Sequence, residues 1–202
     1  MTARTIVCYG DSNTYGYDPA DWTTLRYPHD QRWTSLLQKA LGADWRVLPE
    51  GLNGRCLPDL RYEGPWLRGL VQPLGPEDLF ALMLGTNDLL MSWQPSARAA
   101  AERMEQLLRF LTLEAGLAPR NVLVIAPPHI SAGQSMAPPN PRLTEESARM
   151  NDAFRVLAQR YHTRFIDAGK WDIDLCRADQ VHFSELGHRQ FAQHMTRLLK
   201  TI

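Results

Sequence analysis

Apolar residues along the chain alternate between short strand-like runs and longer stretches with helical spacing. The runs that are predicted to be strands cover residues 5–9, 45–48, 78–84, 122–126 and 164–166. Apolar positions three or four residues apart predict helices over 33–41, 95–117 and 143–161, followed by a last helix that Ser184 caps. Strands that alternate with helices in this way are typical of a parallel sheet with helices on both faces.

Polar residues follow several of the predicted strands, where ligands of open α/β sheets usually bind. Four polar blocks lie in these loops: 10–13 (GDSN), 51–55 (GLNGR), 85–88 (GTND) and 179–182 (DQVH). Together they supply a hydroxyl, a glycine N–H, a side-chain amide and an acid–histidine pair. Acyl transfer requires this set, because it needs a nucleophile, a base, a group that orients the base, and donors for the oxyanion.

Three residues of these blocks have the chemistry of a catalytic triad. Ser12 is the candidate nucleophile, His182 is the candidate base, and Asp179 would fix the tautomer of the ring and stabilise imidazolium. Asp179 and His182 are three positions apart, so a turn would bring their side chains together.

The four blocks resemble those of the SGNH hydrolase superfamily, the GDSL esterases and lipases, which is named for the Ser, Gly, Asn and His of such blocks. Ser12, Gly54, Asn87 and His182 occupy those positions in order, and Asp179 completes a DxxH arrangement. The resemblance implies a flavodoxin-like three-layer α/β sandwich, with a five-stranded parallel sheet, and a serine hydrolase acting on ester bonds. It also implies an oxyanion hole formed by the N–H groups of Ser12 and Gly54 and the side chain of Asn87.

Two segments, 26–33 (RYPHDQRW) and 50–55 (EGLNGR), are similar to the short bacterial arylesterase and acyltransferase branch. This similarity implies small carboxylic esters as substrates, with short acyl or aryl groups, and acyl transfer to alcohols in competition with hydrolysis. Lysophospholipids, acyl thioesters and acetylated carbohydrates are alternative substrates for the same machinery. A non-catalytic flavodoxin-like binding module is the alternative from another class of protein.

One position departs from the pattern in the family's name. Residue 13 is Asn where the name has Leu. Because this position is not itself a catalytic group, the departure is expected to affect only the substrate subfamily.

Bulky side chains near the blocks are candidate walls of a substrate pocket, since ligand sites are apolar clefts with few polar anchors. The candidates are Trp22, Trp33, Trp66, Met91 and Trp93, together with Asp11 beside Ser12. Ordinary packing explains the tryptophans equally well, and Asp11 is more simply interpreted as a brace of its loop. Bulky walls in a small cleft predict short acyl groups, from acetate to butyrate.

Composition narrows the class of protein further. The 202 residues, 44% apolar and 22% charged, predict one globular domain over 1–202. Lys+Arg and Asp+Glu are both 22, and this balance argues against nucleic acid as the main partner. No apolar run approaches the about 20 residues of a membrane span, and the chain as given moves straight into a strand-like run, so neither a membrane protein nor a secreted one is expected. The three cysteines, Cys8, Cys56 and Cys176, have no CxxC spacing and predict reduced thiols in a cytoplasmic protein.

Neither a metal nor a cofactor is expected. Glu185 and His188 have the spacing of an E-x-x-H pair, but the sequence offers no second pair to complete a di-iron site. No phosphate-binding glycine motif follows the first strand. The expected partner is therefore a small-molecule ester, with no nucleic acid and no membrane, and loop tryptophans leave a homo-oligomer open.

Overall fold

A parallel sheet forms the centre of the computed structural model, which describes residues 3–21, 23–131 and 141–201. Its strands are β1 Arg4–Gly10, β2 Trp45–Gly51, β3 Leu79–Met83, β4 Val122–Ala126 and β5 Arg164–Asp167. Their order in the sheet is β2-β1-β3-β4-β5, and every pair is parallel. The flavodoxin-like sheet expected from the resemblance is therefore confirmed.

Seven α-helices surround the sheet within the described ranges. They are α1 Ser12–Tyr15, α2 Trp33–Leu41, α3 Leu60–Val71, α4 Thr86–Leu90, α5 Ala97–Arg109, α6 Pro141–Arg160 and α7 Glu185–Leu199. The sequence pattern predicts α2, α5, α6 and α7. The predicted helix over 95–117 is in fact α5 followed by a π-helical segment, Phe110–Glu114, in which the Ala115 N–H donates to the Phe110 carbonyl.

Helix α3 is the long helix that the sequence pattern misses. Gly64, Pro65 and Gly69 lie within its twelve residues. Glycine and proline are poor helix formers, and proline also removes a backbone donor, so local propensity argues against a helix here. The helix forms because Leu67 and Val71 are buried in the core.

The strands bury side chains on both faces, as strands between two helical layers must. Alternate residues such as Tyr9 and Leu82 pack with α3, α5 and α6, while Cys8 and Ala81 pack with α2 and α7. Every residue of β3 and β4 is buried, which explains their uninterrupted apolar sequences. The result is a three-layer sandwich.

The central strands bring three of the polar blocks side by side. Gly10 at the end of β1 pairs with Gly51 of β2 on one side and Met83 of β3 on the other. The chain order reverses at β1, so its loop lies at the switch point of the sheet. A Cβ on Gly51 would lie 2.1 Å from the Tyr15 backbone nitrogen, so glycine is required for α1 to approach β2.

Two further features bear on the sequence-based expectations. No helix in the described part of the chain is long and apolar enough to cross a membrane. Trp22, one of the candidate pocket residues, and residues 132–140 lie outside the described residues.

Candidate active site

Ser12, His182 and Asp179 form a hydrogen-bonded chain at the carboxyl edge of the sheet. Ser12 begins α1, and Asp11 alone separates it from the end of β1. The His182 Nε2 atom lies 2.8 Å from Ser12 Oγ, and Nδ1 lies 2.7 Å from Asp179 Oδ2. An imidazole protonated on Nδ1 donates to Asp179 and leaves Nε2 to accept the serine hydroxyl. The arrangement can therefore take a proton from Ser12.

Asp179 is held as a carboxylate by the turn that carries it. Its Oδ1 accepts the N–H groups of Val181 and His182, both at 3.0 Å. Burial alone would raise the pKa of Asp179, but hydrogen bonds from the His182 ring and from these two N–H groups outweigh it and hold the pKa below its usual value. Gln180, at φ 58°, is in the left-handed region that non-glycine residues rarely occupy. The turn thus stores backbone strain beside the candidate base.

The candidate oxyanion donors come from the loops after β1, β2 and β3. Gly54 has φ 73°, a conformation that favours glycine, and a Cβ there would lie 3.2 Å from Met91 Cε. Asn87 is the second residue of α4, and its Nδ2 donates to the Arg55 carbonyl at 3.0 Å. Because an amide nitrogen carries two hydrogens, one such bond leaves a second N–H for a ligand.

An ion pair between the buried carboxylate of Asp88 and the partly exposed Arg103 fixes the Gly54 loop to α4. Asp88 Oδ2 accepts the Leu57 N–H at 2.9 Å, and Asp88 Oδ1 accepts from Arg103 Nη1 at 2.7 Å. Arg103 Nη2 also donates to the Leu57 carbonyl. Burial raises the pKa of Asp88, although the Leu57 N–H and the Arg103 charge oppose that rise. Asp88 is therefore a brace between the segments that carry Gly54 and Asn87.

Arg55 braces the same loop from its other side. Its Nη1 donates to the Gly10 carbonyl at 2.9 Å and to the Glu50 carbonyl. Its guanidinium carbon lies 4.3 Å from the ring centre of Tyr9 and 5.4 Å from that of Trp66, within the range of cation–π contacts. The structure thus places Trp66, a candidate pocket wall, against Arg55.

Trp33 and Asp11, which are also candidate pocket residues, lie in the protein interior. Trp33 is 1% exposed, stacks edge-on against Phe191 and donates its indole N–H to the Asn13 carbonyl at 3.0 Å. Trp33 therefore supports the Ser12 loop from the core and does not line a cleft. Asp11 is buried and accepts the Asn13 N–H at 3.0 Å. Its burial and this hydrogen bond indicate that Asp11 braces the Ser12 loop. The same burial raises the pKa of Asp11 to about 6.

Met91 and Trp93 line an open cleft beside Asn87. The cleft has a volume of about 600 Å³, and Cys56, Asn87 and Arg103 also line it. Met91 is 63% exposed and Trp93 is fully exposed. Neither Ser12 nor His182 lines this cleft, so it reaches the site from the side of Asn87.

Two residues that the sequence did not single out as site residues contact the triad segment. The Tyr17 ring centre lies 4.6 Å from that of His182. The Asn13 side chain bonds to the backbone of Val181 and Phe183. In the sequence, position 13 stands out only as a departure from the family name, and Tyr17 carries no local signal, because both contacts arise from tertiary packing.

The E-x-x-H histidine is a core residue. His188 is buried, its Nδ1 accepts the Trp33 backbone N–H at 3.3 Å, and burial lowers its pKa to about 3. It is therefore neutral at ordinary pH. Among the described residues, no group of three or more His, Cys, Asp or Glu side chains could hold a metal ion, and all three cysteines are free thiols.

Comparison with known proteins agrees with this geometry. The sequence model of the GDSL-like Lipase/Acylhydrolase family matches residues 8–190, which is most of the chain. No curated protein matches the chain.

Solved structures of similar proteins cover nearly the whole chain. An aryl esterase from M. smegmatis is 28% identical over 98% of this chain and 99% of its own, with a TM-score of 0.80. A putative arylesterase from Agrobacterium tumefaciens is 31% identical over 98% and 99%, with a TM-score of 0.78. A carbohydrate acetylesterase family member from Sinorhizobium meliloti is 29% identical over 98% of each chain, with a TM-score of 0.79.

Proposed function

This chain belongs to the GDSL-like lipase/acylhydrolase family and is a serine hydrolase that acts on esters. On this premise we propose that its substrates are small carboxylic esters with short acyl or aryl groups. We propose that the reaction proceeds through an acyl-enzyme on Ser12. The observation that carries the proposal is the position of His182. Its two ring nitrogens lie 2.8 Å from Ser12 Oγ and 2.7 Å from Asp179 Oδ2. A serine is weakly nucleophilic until such a base accepts its proton.

The proposed reaction has two steps. Ser12 Oγ attacks the ester carbonyl carbon while His182 Nε2 takes the hydroxyl proton, and the alcohol leaves with that proton when the tetrahedral intermediate collapses. Water then attacks the acyl-enzyme while His182 takes its proton, and the acid leaves as that proton passes to Ser12 Oγ. The Asp179 carboxylate orients the ring and stabilises the imidazolium that forms in each step.

Three hydrogen-bond donors are proposed to stabilise the negative charge that develops on the carbonyl oxygen. These are the N–H groups of Ser12 and Gly54 and the second N–H of Asn87 Nδ2. Support comes from their origin on neighbouring loops and from the Asp88–Arg103 pair that braces two of them. Donors fixed before the reaction stabilise developing charge most effectively, because they need not reorganise.

The two parts of the ester are expected on opposite sides of Ser12. The leaving oxygen must lie near His182 Nε2, which protonates it, so the alcohol or aryl group lies towards Tyr17. The acyl group then extends away from His182, towards the cleft that Asn87, Met91 and Trp93 line. We call the cleft residues Cys56, Asn87, Met91 and Trp93 the acyl side. We call residues 179–183 the base side.

A short acyl group is proposed because Met91 narrows the acyl side at the oxyanion loop. Its methyl group lies 3.2 Å from where a Gly54 Cβ would stand. An acyl chain that leaves the carbonyl in this direction meets the Met91 side chain within a few carbons. Acetate to butyrate are therefore the expected acyl groups.

Acetylated carbohydrates are a second candidate substrate. The carbohydrate acetylesterase family member from Sinorhizobium meliloti matches this chain over 98% of its length at 29% identity. Acetyl is also the smallest of the expected acyl groups. An alcohol beside Tyr17 could replace water in the second step, which would give acyl transfer.

A panel of p-nitrophenyl esters from acetate to decanoate, with an acetylated sugar and an acyl-CoA, tests the proposal. The Ser12→Ala protein is the control for background hydrolysis. We expect kcat/KM to be highest between acetate and butyrate. A kcat/KM that rises to decanoate, below micelle-forming concentrations, would favour lysophospholipids or thioesters. Absence of turnover and of fluorophosphonate labelling would favour a binding module, and a flavin absorbance spectrum would identify it.

A further inference from the structure

The side-chain amide of Asn13 joins the loop of the proposed nucleophile to the segment of the proposed base. Its Oδ1 accepts the Phe183 N–H at 2.8 Å, and its Nδ2 donates to the Val181 carbonyl at 3.3 Å. These two groups belong to the peptide units on either side of His182. The residue that follows Ser12 therefore holds the backbone both before and after His182.

The remaining backbone contacts of His182 come from its own segment. Its N–H donates to Asp179 Oδ1 at 3.0 Å, and its carbonyl accepts the Cys176 N–H at 2.7 Å. These bonds shape the turn but do not fix the turn relative to Ser12. The Asn13 bonds do so, since Asn13 is covalently attached to Ser12.

Asparagine has the chemistry that this position requires. The side chain must both donate and accept over a short reach, and it is only 5% exposed, so solvent water is a poor substitute. Leucine, the residue in the family's name, has a similar size but can form neither bond. Asn13 is itself oriented at both ends of its backbone, because its N–H donates to Asp11 and its carbonyl accepts from Trp33.

We propose that Asn13 is a positioning residue, which acts through His182 by holding Nε2 against Ser12 Oγ. This inference rests on the proposed roles of Ser12 and His182 and extends them. Loss of the Asn13 amide would leave the base attached to its own turn but free to shift relative to the nucleophile. A misplacement of about 1 Å at a reacting group can reduce a rate by about a hundredfold.

Asn121 provides a matched control at the opposite edge of the sheet. It is 3% exposed, and its Nδ2 bonds to backbone carbonyls that include that of Pro76, at 3.0 Å. Asn13→Leu and Asn121→Leu each remove a buried amide that binds backbone. We expect Asn13→Leu to lower kcat by about 10- to 100-fold with little change in KM. Asn121→Leu should lower Tm but leave kcat unchanged at temperatures below its Tm.

A coupling measurement separates positioning from general loosening of the fold. The rate of fluorophosphonate labelling is measured in wild type, Asn13→Leu, His182→Ala and the double variant. If Asn13 acts through His182, Asn13→Leu slows labelling of the wild type but causes no further slowing in the His182→Ala background. Equal slowing in both backgrounds would overturn the inference.

Asn13→Asp, which keeps the size of the side chain and the bond to Phe183, repeats both measurements if Asn13→Leu does not fold. Its carboxylate would face the Val181 carbonyl, so reduced kcat is again expected. If either folded variant has the wild-type kcat while His182→Ala is inactive, the role of Asn13 is overturned but the proposed function stands. Wild-type activity in His182→Ala would overturn the proposed function instead.

Discussion

The two sides of Ser12 are built differently. On the base side, hydrogen bonds with Asp179, Cys176 and Asn13 fix the backbone around His182. On the acyl side, Met91 is 63% exposed and Trp93 is fully exposed at the rim of an open cleft. One side holds its functional group from several directions, whereas the other presents apolar side chains to solvent.

This difference corresponds to the two tasks that an esterase site performs. Proton transfer between Ser12 and His182 depends on a hydrogen bond of fixed length, so the base must be held. Selection among acyl groups depends on the volume and apolar surface of the cleft, which single exposed side chains can change. The base side should therefore be intolerant of substitution, and the acyl side should respond by changing substrate preference.

Removal of the base should have the largest effect of all. His182→Ala is expected to lower kcat/KM by about 10⁴-fold or more, and Asp179→Asn somewhat less, because Ser12 then lacks a proton acceptor of the correct tautomer. Steady-state kinetics with p-nitrophenyl acetate provide the measurement. His194→Ala is the control, since that ring stacks on Trp171 outside the site. A normal rate in folded His182→Ala would contradict the assignment of the base.

Asn87 should show a smaller loss, because it is one of three proposed donors. Asn87→Ala is expected to lower kcat by about 10²- to 10³-fold with little change in KM, since the bond strengthens only as negative charge develops. The measurement is the separate determination of kcat and KM with a short-chain ester. A change confined to KM would mean that Asn87 binds the ground-state ester and does not stabilise the oxyanion.

Asp11, which accepts the Asn13 N–H, tests whether the loop that carries Ser12 and Asn13 is held at a cost in stability. Burial raises the pKa of Asp11 from 3.8 to about 6, although the Asn13 N–H and charges on His182 and Arg55 oppose the rise. The folded protein therefore binds this proton more tightly than the unfolded chain. The stabilisation is complete below about pH 4 and is lost as pH rises through about 6.

Asp11→Asn keeps an oxygen for the Asn13 N–H but cannot ionise. Relative to wild type, the variant should therefore be more stable at pH 7.5 than at pH 4.5, by about 2 kcal/mol between the two. Thermal unfolding at both pH values measures this difference. Asp152→Asn is the control, because the Asp152 side chain is 75% exposed. This substitution should change Tm by the same amount at both pH values. An Asp11→Asn difference that does not vary with pH would contradict the raised pKa.

Met91 should give the smallest effect and should change preference more than rate. Met91→Ala removes the side chain over Gly54, so esters longer than butyrate should gain kcat/KM by about fourfold for each methylene newly accommodated, or about 0.8 kcal/mol. Acetate turnover should change little. Trp93→Ala is the control at the outer rim. An unchanged length profile in Met91→Ala would place the acyl group elsewhere.

The parts of the molecule that local sequence signals specify were predicted. The strands, α2 and the parallel sheet follow from periodicity, and all five strands lie where the apolar runs place them. Ser12 was predicted because a glycine and a hydroxyl residue follow the first strand, and Asp179 and His182 because an acid–histidine pair stands between the last strand and the last helix. The structure brings these three together at hydrogen-bond distances.

Features that depend on tertiary contacts were not predicted. The pattern missed α3 because Gly64 and Pro65 disfavour a helix that is stabilised by burial of Leu67. Trp33 stands close to polar residues in sequence, yet its indole is directed into the core. The amide of Asn13 acquires its role from a segment about 170 residues away, which no local pattern can reveal.

The most direct test of the proposed chemistry is covalent labelling of the intact protein with a fluorophosphonate, followed by intact mass and peptide mapping. We expect one phosphonate per chain, on Ser12, with loss of labelling in Ser12→Ala and strongly slowed labelling in His182→Ala. These outcomes would show that Ser12 is the nucleophile and that His182 activates it. Labelling of another residue, or equal labelling of a folded Ser12→Ala protein, would contradict the proposal that the enzyme acts through Ser12.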